Sequence, residues 1–329
     1  MSTTAYELAS CPVCGSVEAT ELADAEGIRA EVEALWEFHT ARLAPDTPPE
    51  RLVDRVTFSQ LPPLRVVRCD RCGLVYRNPR ERAFELARLY RDEALDQDAL
   101  DALFETQRDA YATQVERLTS AVGRAGYGLE VGSYVGAFLA AAASEGWRFE
   151  GVDVNEHTVA QARQRGLEAS VGDLESIPDD RRYDAIVIWN CFDQLPDPKA
   201  AALAARRRLV DRGVLALRVP NGAFYATVRK ALDTPAAPVA RALLAHNNLL
   251  SFPYRHGFTP GSLALLLEKA GFEPDRVHGD ALVPIADRWT RGWAAAEERA
   301  LKTLLRTLGR GHAEGAPWFE VYARVSDRA

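Results

Sequence analysis

Short apolar, β-rich runs alternate with longer stretches of helical periodicity from Tyr127 onward. The runs read GLEVG, FEGVDV, ASVGD, YDAIVIWN and VLALRVPN. Strands that alternate with helices pair in parallel, because the intervening helix carries the chain back to the starting edge of the sheet. The pattern therefore predicts an open α/β sheet.

This alternation is interrupted and then resumed in the C-terminal third of the chain. The stretch from Pro235 to Tyr254 breaks the pattern, and we expect residues 235–258 to form a cap over the carboxyl edge of the sheet. Beyond Gly271, the runs FEPDRV and WFEVYARV predict two more strands. A long helix is expected between them, over residues 286–308.

The N-terminal part has a different pattern. Residues 11–79 contain paired cysteines, a helical insert over residues 24–42 and a Pro-rich loop over residues 45–49. From Glu81 to Val122 the periodicity is helical, with an apolar stripe of Phe84, Leu86, Leu89, Tyr90, Leu100, Leu103 and Phe104. Three parts are therefore expected: a cysteine module over residues 1–80, a helical connector over 81–122 and an α/β domain over 123–329.

The composition and charge of the chain limit the kinds of partner that it is expected to bind. The 329 residues are 47% hydrophobic, enough to bury a full core. No apolar stretch approaches the roughly 20 residues that span a bilayer, and the N-terminus lacks a signal-like pattern, so we expect a cytoplasmic protein without membrane contact. The net charge of −7 disfavours a nucleic-acid partner and favours small molecules. The run Arg206–Arg208 is interpreted as a solvated helix face, and no oligomeric state is indicated.

The polar residues of the α/β domain fall at the predicted strand ends, where ligands of open α/β sheets bind. Glu130 precedes a glycine turn, from Gly132 to Gly136, whose backbone can approach a ligand closely. Asp153 ends the second strand, where its carboxylate can accept hydrogen bonds from both hydroxyls of a ribose. The third strand is followed by Gly-Asp-Leu, which ends at Leu174, and the fourth strand ends at Asn190. Both strand ends can contact the same nucleoside.

The succession LEVGSYVG, GVDVN, GDLESIP, YDAIVIWN, RVPN and HGFTPGSLALLLEKAGF resembles the class I methyltransferase family over residues 120–283. The resemblance implies a seven-stranded, mostly parallel Rossmann-like sheet with an antiparallel last strand. It also implies S-adenosylmethionine as cofactor. The residues that it assigns to the cofactor are Glu130, Gly132, Tyr134 and Gly136 around the methionine part, Asp153 and Val154 at the ribose, Asp173 and Leu174 at the adenine, and Asn190 at the methionine amine and methyl group.

Two residues depart from the family pattern. Tyr134 stands where the family often has a glycine, and it can equally be a packing residue, whereas Gln194 stands where many relatives have histidine. A nicotinamide dehydrogenase would also place an acid about 20 residues beyond a glycine turn, but the pattern here is E-x-G-x-x-x-G instead of G-x-G-x-x-G. A binding protein with a degenerate methyltransferase fold is the other alternative.

The cysteines form two C-x-x-C pairs, Cys11 with Cys14 and Cys69 with Cys72. Four thiolates without another donor indicate a closed structural zinc site. The alternatives are unligated turns or a redox pair, and the long gap between the pairs requires the inserted helix to leave them adjacent. Each C-x-x-C pair is called a knuckle below. Similar knuckles precede the methyltransferase domain in deoxysugar C-methyltransferases and related natural-product enzymes. Cys191 is interpreted as a small buried core residue.

Methyl transfer from a sulfonium requires mainly alignment of the nucleophile and exclusion of water, so a base is needed only for a protonated acceptor. The candidate bases are His246 and His256, with Tyr225 as a possible orienting residue and Asp193 near the fourth-strand tip. Each can instead have a structural role, since such side chains often bond backbone groups or pack at seams. We expect a small-molecule acceptor of secondary-metabolite or sugar biosynthesis, held by the segment from His246 to His256.

Overall fold

The structure is a computed structural model that describes residues 5–49, 51–52, 64–83, 97–309 and 312–326. The chain divides into two compact units. The cysteine unit contains residues 1–82, 219–263 and 278–320, and the sheet unit contains residues 83–218, 264–277 and 321–329. The predicted cap, residues 235–258, thus groups with the N-terminal residues. The predicted stripe residues Phe84, Leu86, Leu89 and Tyr90 lie outside the described residues.

Most of a seven-stranded sheet lies in the sheet unit. Its strands are β6 Tyr127–Val131, β7 Arg148–Asp153, β8 Ala169–Val171, β9 Tyr183–Trp189, β10 Leu209–Pro220, β12 Phe272–Asp280 and β13 Trp318–Val325. They lie in the order β12-β13-β10-β9-β6-β7-β8. The five strands from β10 to β8 pair in parallel, and the last strands are antiparallel. All seven predicted strands and the predicted fold class are confirmed.

Six helices precede or connect these strands. They are α2 Gln97–Ala110, α3 Ala112–Val122, α4 Ala137–Ser144, α5 Glu156–Gln164, α6 Pro198–Arg208 and α9 Pro260–Lys269. Local sequence sets their ends. The Asn155 side chain accepts from the backbone at the start of α5, Asp197 does so for α6 with Pro198 at its first turn, and Gly123 closes α3 in the left-handed region.

An aromatic cluster forms the core of the sheet unit. The Phe138 ring meets those of Tyr111 and Phe149 edge to face, with centroids 5.4 and 5.1 Å apart, and Trp189 packs on the same ring at 5.4 Å. A smaller cluster of Leu100, Phe104, Val135 and Ala137 joins α2 to the start of α4. This contact holds the loop between β6 and α4 in place.

The cysteine unit is built on a four-stranded sheet. Its strands are β2 Ala19–Ala23, β3 Val66–Cys69, β4 Val75–Arg77 and β11 His256–Gly257, in the order β11-β4-β3-β2. Two short strands, β1 Tyr6–Glu7 and β5 Arg80–Glu81, pair separately. The helices are α1 Ala25–Arg42, α7 Gly222–Arg229, α8 Ala237–Ala245 and α10 Gly292–Gly309. Buried residues of α1, α7 and α8 share one core with Val66 and Val75.

Two predictions were wrong in part. Arg208 is not on a solvated face: it is 2% exposed, donates to the carbonyl of Ile177 at 2.7 Å and pairs with Asp179 at 3.1 Å. The long helix expected from residue 286 begins at Gly292, because Asp287 accepts from the backbone N–H of Trp289 and forms a turn there. Among the described helices, none is long and apolar enough to cross a membrane.

Candidate cofactor site and cysteine cluster

The strand order places the candidate cofactor residues at one crevice. The chain leaves β6 for β7 and β8 on one side, whereas β9 pairs with the other side of β6. A crevice opens at the carboxyl ends of two such strands, because their connecting segments leave in opposite directions. The Gly132 turn follows β6 and Cys191 follows β9, so both lie at this switch point.

The glycine turn after β6 lies close to the tip of β9. Gly132 and Gly136 have φ values of +74° and +82°, a region that other residues enter only with strain. A Cβ at Gly132 would lie 2.5 Å from the Cys191 sulfur, so only glycine fits beside the β9 tip. Tyr134 also has a positive φ, and its half-buried ring packs against the cluster containing Phe104.

Asp153 is held at the tip of β7. One carboxylate oxygen accepts from the backbone N–H of Tyr134 at 2.9 Å, and the other accepts from the N–H of Asn155 at 3.0 Å. Burial raises the pKa of this carboxyl, and these backbone donors act in the opposite direction. The first strand turn and the second strand tip are therefore joined through one side chain.

The predicted adenine residues lie at the next strand tip. Asp173 is exposed and caps the short 3₁₀ helix Leu174–Ser176, accepting from the N–H of Ser176 at 3.0 Å. Leu174 is buried, whereas Val154, expected at the ribose, is exposed.

Asn190 is held by two residues that the sequence did not identify. Arg218 donates to its side-chain oxygen at 2.8 Å, and its amide donates to the Tyr111 hydroxyl at 3.5 Å. Gln194, which replaces the usual histidine, donates to the Asn190 carbonyl at 2.9 Å. The sequence could have indicated Arg218, because it is a charged residue within the apolar run VLALRVPN. Nothing in the sequence around Tyr111 indicates its contact with Asn190.

Two further carboxyl groups of the sheet unit are buried with incomplete hydrogen bonding. Among the described residues, one oxygen of Glu130, which is 2% exposed, has no hydrogen-bond partner, and neither oxygen of the fully buried Asp193 has one. Burial raises the pKa of each well above its usual range. Cys191, interpreted from the sequence as a small buried core residue, is half-buried, and burial raises the pKa of its thiol.

The remaining candidate catalytic residues lie in the interior of the cysteine unit. His246 is buried, its ring meets Phe38 edge to face at 4.9 Å, and its Nε2 has no hydrogen-bond partner in the part of the chain that the structure describes. Burial lowers the pKa of His246 to about 4. His256 is buried in β11, opposite Tyr76 of β4.

Tyr225 belongs to a buried hydrogen-bond network. Its hydroxyl donates to Glu31 at 3.1 Å, and the same carboxylate accepts from Arg229 at 2.7 Å and from the N–H of Ser251 at 2.9 Å. Burial, followed by the Glu31 charge, raises the pKa of Tyr225 well above its usual range.

The four paired cysteines form one cluster. All four sulfurs of Cys11, Cys14, Cys69 and Cys72 lie within 4.8 Å of one another. The shortest separations are 3.5 Å, from Cys11 to Cys72 and from Cys14 to Cys69. Sulfurs on a tetrahedral zinc ion lie about 3.8 Å apart, as follows from Zn–S bonds of about 2.3 Å. The cluster could therefore hold a metal ion.

The two knuckles share one backbone design. Gly15 N–H donates to Cys11 O at 2.8 Å, and Gly73 N–H donates to Cys69 O at 2.9 Å. Both glycines have a positive φ, +77° and +76°, which closes each turn behind its two sulfurs. Because β3 pairs with both β2 and β4, the sheet brings the knuckles together despite the long gap between them.

Comparison with known proteins identifies the family. The family described as "Methyltransferase domain" matches residues 103–277, more than half of the chain. A ubiquinone biosynthesis O-methyltransferase of Bordetella avium (strain 197N) is 27% identical over 171 residues, which cover 48% of this chain and 66% of that protein. The chain thus spans just under two thirds of this relative's length.

Two solved structures are similar to the chain. One is an S-adenosylmethionine-dependent methyltransferase of Thermotoga maritima, a possible histamine N-methyltransferase, with a TM-score of 0.46 and 18% identity, covering 70% of this chain and 95% of that one. The other is an amino pentose methyltransferase of Micromonospora echinaspora with S-adenosylmethionine bound, with a TM-score of 0.33 and 26% identity, covering 38% and 57%.

Three observations indicate the same family: the order of the strands in the sheet, the glycine turn at its switch point and the match to the family model. The chain belongs to the family of S-adenosylmethionine-dependent methyltransferases. The nicotinamide dehydrogenase alternative is thereby set aside.

Proposed function

We propose that the sheet unit binds S-adenosylmethionine and that the chain transfers the methyl group to a small-molecule acceptor of secondary-metabolite or sugar biosynthesis. The observation that carries the cofactor part is the joining of the glycine turn to Asp153 through the Tyr134 N–H at 2.9 Å. This contact fixes a carboxylate beside a backbone that can approach a ligand, as a nucleoside cofactor requires.

The bound cofactor supplies a methyl group already activated on a sulfonium. Asp153 and Val154 would contact the ribose, and Asp173 and Leu174 the adenine. Asn190 would face the methionine amine, with its oxygen oriented by Arg218 at 2.8 Å. Glu130, Gly132, Tyr134 and Gly136 would surround the methionine part.

The acceptor class is supported by two resemblances. The curated relative is named a ubiquinone biosynthesis O-methyltransferase, which concerns a small organic molecule. The paired cysteine knuckles resemble those of deoxysugar and natural-product methyltransferases. Together they favour a small hydroxylated or amino-substituted acceptor.

A base is needed only where the attacking atom carries a proton. His246, His256, Asp193 and Tyr225 remain the proposed candidates. Burial lowers the pKa of His246 to about 4, which makes its neutral ring a weak base and counts against this residue among the four candidates. The hydrogen bond from Tyr225 to Glu31 favours an orienting role for the tyrosine.

We further propose that the cysteine cluster holds one structural zinc ion. Its support is the donor set, four sulfurs within 4.8 Å of one another and no other ligand type among them. A closed thiolate site leaves no open position for a reactant, so its contribution is to stability.

Three measurements test these proposals. Calorimetric titration of the full chain with S-adenosylmethionine and S-adenosylhomocysteine tests the cofactor, and absence of binding overturns the cofactor proposal.

Transfer of a labelled methyl group to a panel of sugars, amino sugars and phenols tests catalysis. Binding without any transfer supports the degenerate-fold alternative. Metal analysis of protein purified without chelator should give one zinc per chain, with Cys191→Ser unchanged, and a value near zero contradicts the zinc site.

A further inference from the structure

Asn190, the residue that follows β9 at the switch point, is held at three of its four polar groups. Its backbone N–H donates to the carbonyl of Arg218 at 3.0 Å, and its backbone carbonyl accepts from the Gln194 side chain at 2.9 Å. Its side-chain oxygen accepts from the Arg218 guanidinium at 2.8 Å. Its φ of +60° lies in the left-handed region, which asparagine enters more readily than most residues. The strand tip is therefore fixed in both backbone and side chain.

The contact with Arg218 determines which way the Asn190 amide faces. A guanidinium only donates, so it can meet the amide oxygen but not the NH2 group. Arg218 is buried, with 6% exposure, and lies opposite Trp189 in the parallel pairing of β10 with β9. The NH2 group consequently lies on the side of the amide that faces away from Arg218.

The NH2 group is the part of Asn190 that the protein leaves available. Among the described residues, its one hydrogen-bond partner is the Tyr111 hydroxyl at 3.5 Å, the long limit of such a bond. An amide nitrogen carries two N–H groups, so at least one of them has no acceptor in this part of the chain. Asn190 is half-buried, and the next residue, Cys191, lies against Gly132 of the glycine turn. The strand tip thus presents a hydrogen-bond donor at the crevice.

A donor at this place discriminates between attacking atoms. A neutral amine has one lone pair, which must attack the methyl group, so a hydrogen bond to that lone pair opposes the reaction. An oxygen has at least two lone pairs, and one can accept from the NH2 group while another attacks. A hydrogen bond to an ionised oxygen is also stronger than one between neutral groups.

We propose that the Asn190 NH2 group, oriented by Arg218, selects a methyl acceptor that attacks through an ionised oxygen, a phenol or a carboxylic acid, over an amine. Arg218 is a positioning residue, because it acts through Asn190. This selectivity rests on the proposed function, which places Asn190 at the methionine part of the methyl donor.

The reaction of such an acceptor balances without a further reactant. The acid loses its proton to solvent before it binds, since the guanidinium of Arg218 and the amides of Asn190 and Gln194 take up no proton at neutral pH. The ionised oxygen attacks the methyl carbon, an O–C bond forms, and the C–S bond breaks with its electron pair on sulfur. The products are a methyl ether or ester and S-adenosylhomocysteine with a neutral sulfur.

Two probes of nearly equal size, p-nitrophenol and p-nitroaniline, test the selectivity. At mildly alkaline pH the phenol is ionised, whereas the aniline is neutral. Calorimetry measures the binding of each probe to the full chain saturated with S-adenosylhomocysteine. We expect the phenolate to bind about tenfold more tightly, because hydrogen bonds to ionised acceptors are the stronger ones. Equal affinities, tighter binding of the aniline or binding of neither probe overturns the proposal.

Asn190→Asp tests whether the NH2 group causes the preference. Aspartate keeps the size of the side chain and still accepts from Arg218, but it has an oxygen in place of the NH2 donor. The ratio of the two dissociation constants should fall to about one or reverse. Gln164→Glu makes the same change from amide to carboxyl at the exposed end of α5 and should keep the wild-type ratio.

The same ratio tests Arg218 as a positioning residue. Arg218→Met removes the donor with little change in size, so the Asn190 amide can rotate and the ratio should fall about threefold or more. Arg218→Lys keeps a charged group that only donates, and it should retain most of the preference. A merely structural arginine would change the stability of both variants without changing the ratio.

The outcomes separate the two proposals. Loss of the preference in Asn190→Asp and Arg218→Met, but not in Gln164→Glu and Arg218→Lys, supports the selectivity. A wild-type ratio in Asn190→Asp overturns it while the cofactor proposal stands, and the Arg218 variants decide the question if Asn190→Asp does not fold. A wild-type chain that binds neither S-adenosylmethionine nor S-adenosylhomocysteine overturns the proposed function and this inference with it.

Discussion

Asp153 shows how one side chain can be held by the protein and still receive a ligand. A carboxylate has about four acceptor positions, and two backbone N–H groups occupy two of them. The Thr158 hydroxyl lies 3.4 Å from one carboxylate oxygen, and the backbone of Val154 contributes a further hydrogen bond. Under the proposed function, the remaining acceptor capacity of the carboxylate receives the ribose.

Asp153→Ala should therefore weaken S-adenosylmethionine binding at least tenfold, because hydrogen bonds to a charged acceptor contribute roughly 1 to 3 kcal/mol each. The substitution also frees the Tyr134 N–H, which loosens the glycine turn. Calorimetry measures the effect. Glu156→Ala, an exposed acid in the first turn of α5, serves as control and should bind normally. An unchanged dissociation constant for Asp153→Ala would remove this residue from the site.

His246 should make the stability of the chain depend on pH. Burial lowers the pKa of the folded-state imidazole from 6.5 to about 4, so the unfolded state binds more protons between these values. Stability is complete above pH 6.5 and falls by up to about 3 kcal/mol as pH decreases towards 4. The facing charged groups are Glu297, Glu298, Lys302 and Arg42.

His246→Phe is the variant that checks this dependence, since it keeps an aromatic ring against Phe38. Denaturant unfolding at a series of pH values should show a shallower acid decline than in wild type. The same slope in both proteins would mean that the carboxyl groups alone cause the acid instability.

At this scale the sequence predicted residue types at strand tips and missed the contacts that orient them. Glycine and aspartate at a strand end indicate a turn by their residue type alone, which is why Gly132 and Asp153 could be named as candidate site residues from the sequence. Arg218 and Tyr111 reach Asn190 from other elements, across 28 and 79 positions of sequence. Such contacts depend on how elements pack, and the order of residues along the chain does not contain that information.

At the scale of elements, β6, β7, β9, β10 and β13 were predictable because each is a largely buried apolar run between turn residues, whereas β8 is mostly exposed. Strand β11 was not predictable, since it has only two residues and exists by pairing with β4, 180 positions earlier at His256 and Tyr76. A strand that short has no periodicity of its own. The start of α10 was misplaced for a related reason, because the turn at Asp287 is formed by a side chain and not by a change of pattern.

One carboxylate of α1 contacts α7 and the segment after α8 within their shared hydrophobic core. Glu31 of α1 accepts from Tyr225 and Arg229 of α7 and from the Ser251 N–H. Tyr225→Phe should lower the free energy of unfolding by about 1 to 3 kcal/mol, because it removes a buried hydrogen bond to a charged acceptor. Denaturant unfolding measures this, together with methyl-transfer turnover.

The matched control is Tyr127→Phe, whose hydroxyl donates to the partly exposed Glu150 in the sheet unit at 2.9 Å. Tyr127→Phe should lower the free energy of unfolding by less than Tyr225→Phe does, since solvent can replace the lost hydrogen bond. A Tyr225→Phe protein with wild-type stability and strongly reduced turnover would instead identify the tyrosine as a catalytic residue.

At the scale of the whole molecule, the two units have different sources of stability. The sheet unit has long central strands and an aromatic core, whereas the four strands of the cysteine unit have at most five residues each. Each of these short strands contributes only a few ladder hydrogen bonds, so the sheet depends on packing against its helices. The knuckles stand before β2 and at the end of β3, so an ion bound there would fix the register of these two strands.

Chelation of the metal should therefore loosen one sheet and leave the other intact. Because ligand binding to the folded state contributes directly to stability, removing zinc should speed hydrogen exchange of the backbone amides in β3 and β4. Amides of β6 and β9, buried in the parallel sheet, provide the internal control and should keep their protection. Exchange measured with and without chelator, followed by mass spectrometry of peptides, separates the two sheets. Equal rates in β3 and β4 under both conditions would show that no bound metal stabilises this sheet.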